Sequence, residues 1–190
     1  MHEQFANVAR RVGAWTAPRL LTGGAAAIGG ALLLTLSAKW QVPFYPVPMT
    51  MQTLVVLALG AILGPRLAVA AVTLYLAEGL AGLPVFAGAS AGPAYVFGPT
   101  GGYLVGFLAS AALVGALAAR GATRSLIGLT AAMALGHVVI FACGFAWLAV
   151  ALGASKAFAL GVAPFYLATA LKTALAVALA RTLPSLASRF

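Results

Sequence analysis

Residues 79–107 read GLAGLPVFAGASAGPAYVFGPTGGYLVGF, and the meaning of this stretch decides the fold. Glycine and proline recur every few positions, which punctuates a backbone rather than extending a helix, yet no charged residue occurs between Glu78 and Arg120. Phe, Tyr, Val and Leu stud the stretch, so its composition is not that of a solvated loop. Long apolar segments of membrane-crossing length lie on both sides of it. Irregular backbone between membrane helices is tolerated only where it packs into protein or lines a cavity, because free N–H and C=O groups cannot face lipid. The stretch therefore reads as a folded cap over a pocket, with a loop lying at the headgroup boundary as the plainer alternative.

Two motifs within the cap, GLPVFAG at 82–88 and GPTGGYLVGF at 98–107, resemble the BioY family, the biotin-binding S components of energy-coupling factor (ECF) transporters. The resemblance extends to PVPMTMQTLVVLALGAILGPRLA at 46–68 and GVAPFYLATALK at 161–172, so it covers most of the chain. It implies an all-α, six-helix membrane protein that captures biotin from outside and docks onto a transmembrane T component carrying ABC-type ATPases. In S components an A-x-x-x-A pattern in the first helix is associated with that docking, and Ala27 and Ala31 match it. The family's last-span motif reads close to PFIPGDxxK. Pro164, Phe165 and Lys172 match it here, while Leu167, Ala168 and Thr169 stand where Pro, Gly and Asp are expected. The cap motifs add Phe86, Gly98 and Tyr103 to the substrate-binding residues expected from the resemblance.

Composition bounds the class independently. Of the 190 residues 63% are hydrophobic and 7% charged, with a mean hydropathy of +1.07, against about 25% charge in ordinary soluble domains. This is an integral membrane protein forming one domain over 1–190, with no room for a soluble nucleotide-binding domain. The net charge of +9 comes from basic residues dispersed at segment ends, which argues for topology and against nucleic acid. Cys143 is the one cysteine, so an intramolecular disulfide is excluded.

In chain order, residues 1–19 place Phe5, Val8, Val12 and Trp15 at helical spacing among Arg10, Arg11 and Arg19, the pattern of a retained cytoplasmic interfacial helix. The bundle is expected over 20–181. Its spans run over 20–38, 48–63, 67–80, 103–119, 126–152 and 162–180, with loops at 41–50, 79–102 and 153–161, and GPRL at 64–67 turns the second span into the third. Lys39 and Trp40 read as interface anchors, and Trp147 as an aromatic-belt residue. Arg10, Arg11, Arg19, Arg66, Arg120, Arg124, Arg181 and Arg189 fall on the side of the termini, against Lys39 and Lys156 opposite. The positive-inside rule then makes both termini cytoplasmic and the cap external, in a bacterial inner membrane.

Lys172 lies near the middle of the last span, where an ammonium costs several kcal/mol unless it meets water or a counter-charge. Phe165, Thr169 and Lys172 recur at i, i+4 and i+7, a column of ring, hydroxyl and ammonium suited to an acid with a polar head. Alternatively Lys172 snorkels or pairs with Glu78. That carboxylate, one turn after Tyr75 at the end of the third span, either accepts hydrogen bonds from ligand N–H groups, holds Lys172, or meets interfacial water. His137 has no second ligand at metal spacing and reads as an interhelical hydrogen-bonding residue.

Enzymatic chemistry finds no support: Glu3 and Glu78 are the only carboxylates, and neither a nucleophile elbow, a zinc-protease helix nor a phosphate-cradling loop occurs. No cofactor or metal is implied. In the first span Gly23, Ala27 and Ala31 recur every four residues with Ala26 and Gly30 alongside, a strip fit either for a partner helix or for packing within the chain. The function expected is high-affinity biotin binding for an ECF uptake system. An S component for another small vitamin, or a channel or structural membrane protein without ligand, are the alternatives.

Overall fold

A computed structural model describes residues 17–183, so most of the expected interfacial segment, and Arg189, lie outside the described residues. Helix α1 runs Ala17–Lys39. A short hairpin follows, β1 Gln41–Val42 antiparallel to β2 Met49–Thr50, with Gln41 opposite Thr50. Helix α2, Gln52–Leu80, is broken at Gly64. The cap holds the single turn α3, Pro93–Val96. Then come α4 (Gly101–Ala119), a 3-10 turn at Ala122–Arg124, α5 (Leu126–Leu152), α6 (Ala154–Gly161), a second 3-10 turn at Ala163–Phe165 and α7 (Tyr166–Thr182).

The break in α2 is a reversal of direction. Gly64 takes φ 77° and ψ 176°, a conformation open to glycine, and Pro65 begins the next arm, where its missing N–H is no loss. Gln52 and Tyr75 are 23 residues apart, which in an unbroken helix is roughly 35 Å. Their side chains instead meet at 2.6 Å. The arms 52–63 and 65–80 are therefore antiparallel neighbours, as GPRL leads one to expect. The turn is lodged against α4, where a Cβ on Gly115 would lie 2.5 Å from the Pro65 nitrogen.

With the two arms counted separately, α1, α4, α5 and α7 complete six helices. Five helical stretches are long and apolar enough to cross a membrane among the described residues, because the hairpin counts as one. The all-α polytopic architecture expected from composition is the one observed. The α2 hairpin is its centre: Val56, Leu57, Ala68 and Val72 are wholly buried, α4 packs on both arms and α5 on α4. The outer helices show lipid-type surfaces, with Ile28, Leu36, Ile127, Val150 and Leu167 all exposed. Ser125 caps α5 by accepting from the Gly128 N–H at 3.0 Å.

One expectation needs correction. Residues 153–161, read as a loop, form α6, because ASKAFALG is rich in good helix formers and can bury Ala157 beneath itself. The small-residue strip of α1 is not free along its length: Ala31 is 1% exposed, and a Cβ on Gly30 would lie 2.7 Å from Ala71 and 3.4 Å from Leu59. That side of α1 sits against both arms of α2, and Ala27 is half-buried at its border.

Candidate functional site

A cavity lies where the β-hairpin, the start of α2, the cap, α4, α5 and α7 converge. Aromatic rings make much of its wall: Tyr95 from the cap, Tyr103 and Phe107 from α4, Phe141 from α5, and Phe165 from the turn before α7. Phe141 lies between its neighbours, with ring centroids 6.3 Å from Tyr103 and 5.9 Å from Phe165. Tyr103 is fixed at both ends. Its hydroxyl donates to the Gly161 carbonyl at 2.7 Å, and its ring packs where a Cβ on Gly144 would stand 2.3 Å away.

Polar groups gather at one side. Lys172 is 6% exposed, and its Nζ donates to the Thr50 carbonyl at 2.7 Å. The Thr50 hydroxyl donates to Gln52 Oε1 at 3.1 Å, and Gln52 Nε2 donates to the Tyr75 hydroxyl at 2.6 Å. Thr53 also lines the cavity, and its buried Oγ1 has no partner among the described residues. Lys172 has three N–H donors, and only one is used here. Among the described residues no ion pair joins it to Glu78, which is half-buried and does not line the cavity. Thus the site contains a sequestered ammonium without a fixed counter-ion, a free hydroxyl and aromatic walls. Burial raises the Tyr95 phenol above its ordinary value.

The expected binding residues divide accordingly. Lys172, Phe165 and Tyr103 share the cavity. Thr169 does not. It lines a separate apolar groove between α5 and α7, together with His137 and Thr173. On an ideal helix Thr169 is 60° round from Lys172, enough to turn the hydroxyl away from the inner edge. In the same groove the Thr173 hydroxyl donates to the Thr169 carbonyl at 2.8 Å and lies 3.0 Å from His137 Nδ1, an interhelical contact.

Tyr75, Phe86 and Gly98 support the cavity from outside its wall. Tyr75 anchors Gln52, and the fully buried Phe86 stacks on Tyr95 with centroids 4.8 Å apart and planes at 15°. The Gly98 carbonyl accepts from Trp147 Nε1 at 3.0 Å. Trp147 therefore fastens the cap to α5, a role that its position near a helix end did not reveal. Sequence reasoning also missed Thr50, Gln52, Thr53 and Tyr95. The first three sit in the PVPMTMQT motif, whose polar residues just before an apolar run were the available signal.

Fold and cavity together define a class: a polytopic helical membrane protein that keeps a capped, largely aromatic chamber with one buried cation. Within that class the chain belongs to the BioY family, whose sequence profile matches residues 12–189. It is 40% identical over 151 residues to the probable biotin transporter BioY of Pyrococcus horikoshii, an alignment covering 80% of this chain and 89% of that one. It is 34% identical over 155 residues to the biotin transporter BioY of Thermotoga maritima, covering 81% and 90%. In fold it resembles the crystal structure of the S-component for biotin from an ECF-type ABC transporter, with a TM-score of 0.79 at 24% identity over 88% of this chain and 93% of that one.

Proposed function

We propose that this chain is the biotin-binding S component of an ECF-type uptake transporter. It takes biotin from the outer face and passes it on with a T component and ABC-type ATPases. The observation that carries the assignment is Lys172: an ammonium buried in a membrane protein, hydrogen-bonded to one carbonyl and, among the described residues, paired with no acid. Such a charge is costly to keep, and an anionic ligand offsets the cost by pairing with it. Biotin's carboxylate meets that need. Its apolar rings and alkyl chain suit the aromatic walls, and its neutral ureido group suits a hydroxyl partner such as Thr53, whose Oγ1 has no partner among the described residues.

Thr169 stands where the family pattern has Asp, and it lies outside the cavity, so recognition of the ureido group rests on neutral donors and acceptors such as Thr53 and Gln52. Glu78 contributes through the cap end of α2 and not by direct contact. The basic residues at the turns between helices support cytoplasmic termini and a cap facing outward. Docking to the T component is assigned to α1 at Ala27, the part of the A-x-x-x-A pair that remains partly open.

The deciding experiment is equilibrium binding of biotin to the purified chain in nanodiscs, with riboflavin and thiamine as comparators. Saturable binding of biotin alone is expected. Binding of either comparator in its place, or of none of the three, would overturn the assignment.

A further inference from the structure

Lys39 is the last residue of α1 and was expected to anchor at the lipid headgroups. Instead its ammonium reaches across to the cap, where Nζ donates to the carbonyls of Pro84, Phe86 (2.9 Å) and Gly88 (2.7 Å). These are alternate residues of one strip of bends and turns, and their carbonyls converge on the one ammonium. Three N–H groups meet three acceptors, and the donor capacity of the ammonium is filled. Among the described residues no backbone N–H takes these carbonyls in its place. Side-chain burial holds the middle of the strip at Val85, Phe86 and Ala87, while Pro84 and Gly88 are exposed and the other main-chain bonds are turns such as Phe86 N–H to the Ser90 carbonyl.

The middle of this strip is tied to the cavity. Phe86 is wholly buried, meets Tyr75 edge-on at 5.4 Å and stacks on Tyr95, which forms part of the cavity wall. On its other side Lys39 is followed directly by the β-hairpin, whose Thr50 carbonyl receives Lys172. One side chain thus joins the two segments that cover the cavity. Because Lys39, Pro84 and Gly88 are exposed, water can satisfy the Pro84 and Gly88 carbonyls if the ammonium is lost, so the fold survives while the tether does not.

We propose that Lys39 is a latch. By clamping 84–88 it holds Phe86 and Tyr95 over the chamber and slows the release of ligand. It is a positioning residue that does not touch the ligand, and its effect on retention rests on the biotin assignment.

The test uses Lys39→Met, with Lys156→Met as a control of equal charge change at an exposed site. In one arm, Ala87→Cys is introduced with Cys143→Ser. Ala87 is 5% exposed, so its thiol reports opening of the strip without any ligand. Lys39→Met is expected to raise the rate of labelling by a soluble maleimide about tenfold or more, the size of effect that losing one charge-assisted hydrogen bond produces. In the other arm, the biotin dissociation rate is expected to rise by about the same factor while the thermal midpoint of the ligand-free protein stays close to that of the parent. If Lys39→Met does not fold, Lys39→Gln, which keeps two N–H donors, carries both measurements. Unchanged labelling overturns the latch. Faster labelling with unchanged dissociation overturns its role in retention. A parent that binds no biotin refutes the assignment of ligand, and the labelling arm still decides the latch.

Discussion

Lys172→Met separates a ligand-binding role for the buried ammonium from a structural one. Methionine fills nearly the same volume with an unbranched stem, so the substitution removes charge without opening a void. Two effects on the empty protein oppose each other. The Thr50 carbonyl loses its 2.7 Å donor, which costs about 1–3 kcal/mol if nothing replaces it, and a buried charge without a counter-ion disappears, which is a gain. The thermal midpoint of the ligand-free protein is therefore expected to move little. Binding behaves differently. Loss of a charge-assisted hydrogen bond in a dry site is worth ~1.5–3 kcal/mol, or about one to two decades in Kd at ~1.4 kcal/mol per decade. That loss applies only to a ligand whose charge Lys172 meets. Titration calorimetry in nanodiscs should show biotin weakened by that factor and biotin amide, which lacks the carboxylate, left nearly as it was. Equal weakening of both would refute the reasoning and make Lys172 a support for the Thr50 backbone.

Gly144→Ala should displace Tyr103, since the new Cβ would stand 2.3 Å from its ring, and cost about 1–3 kcal/mol in stability together with loss of biotin binding; a thermal melt and a binding isotherm report the two. Ala31→Leu should destabilise the bundle by a similar ~1–3 kcal/mol because Ala31 is 1% exposed, whereas Ala27→Leu should leave biotin binding intact and abolish co-purification with the T component. Loss of binding with Ala27→Leu would place that residue within the chain's own packing. For orientation, cysteines at Ser90 and Ser125, with Cys143 replaced, should react with an impermeant thiol reagent from outside and from inside respectively; reversed labelling would invert the topology.

Much of the fold was legible because membrane segments obey simple local rules. Glycine and proline at 64–65 announced a reversal, and the charge-free, glycine-rich run after Glu78 announced backbone that must be covered. Lys172 stood out since an ammonium inside an apolar helix demands a partner. What stayed hidden depends on pairs far apart in the chain. Lys39 meets residues 45 to 49 positions away, and nothing near it in sequence distinguishes a clamp from an interface anchor. Gln52 and Tyr75 become neighbours only after the hairpin closes. Thr169 and Lys172 share a helix face by spacing alone, but that face is divided by α5, which leaves one hydroxyl in a side groove and one ammonium in the chamber.

The reversal at Gly64 also bears on how the protein is made. About twelve residues in the arm 52–63 reach roughly 18 Å at ~1.5 Å each, well short of the ~30 Å hydrocarbon layer. An arm of that length, beginning with Gln52 and Thr53, does not hold a stable place in lipid by itself. Its entry into the bilayer waits on 65–80, and to the ribosome and the insertion machinery the two arms are one cargo. In a nascent chain stopped just after Arg66 a cysteine placed in this arm should remain accessible to a soluble thiol reagent, and in one that continues past Leu80 it should not.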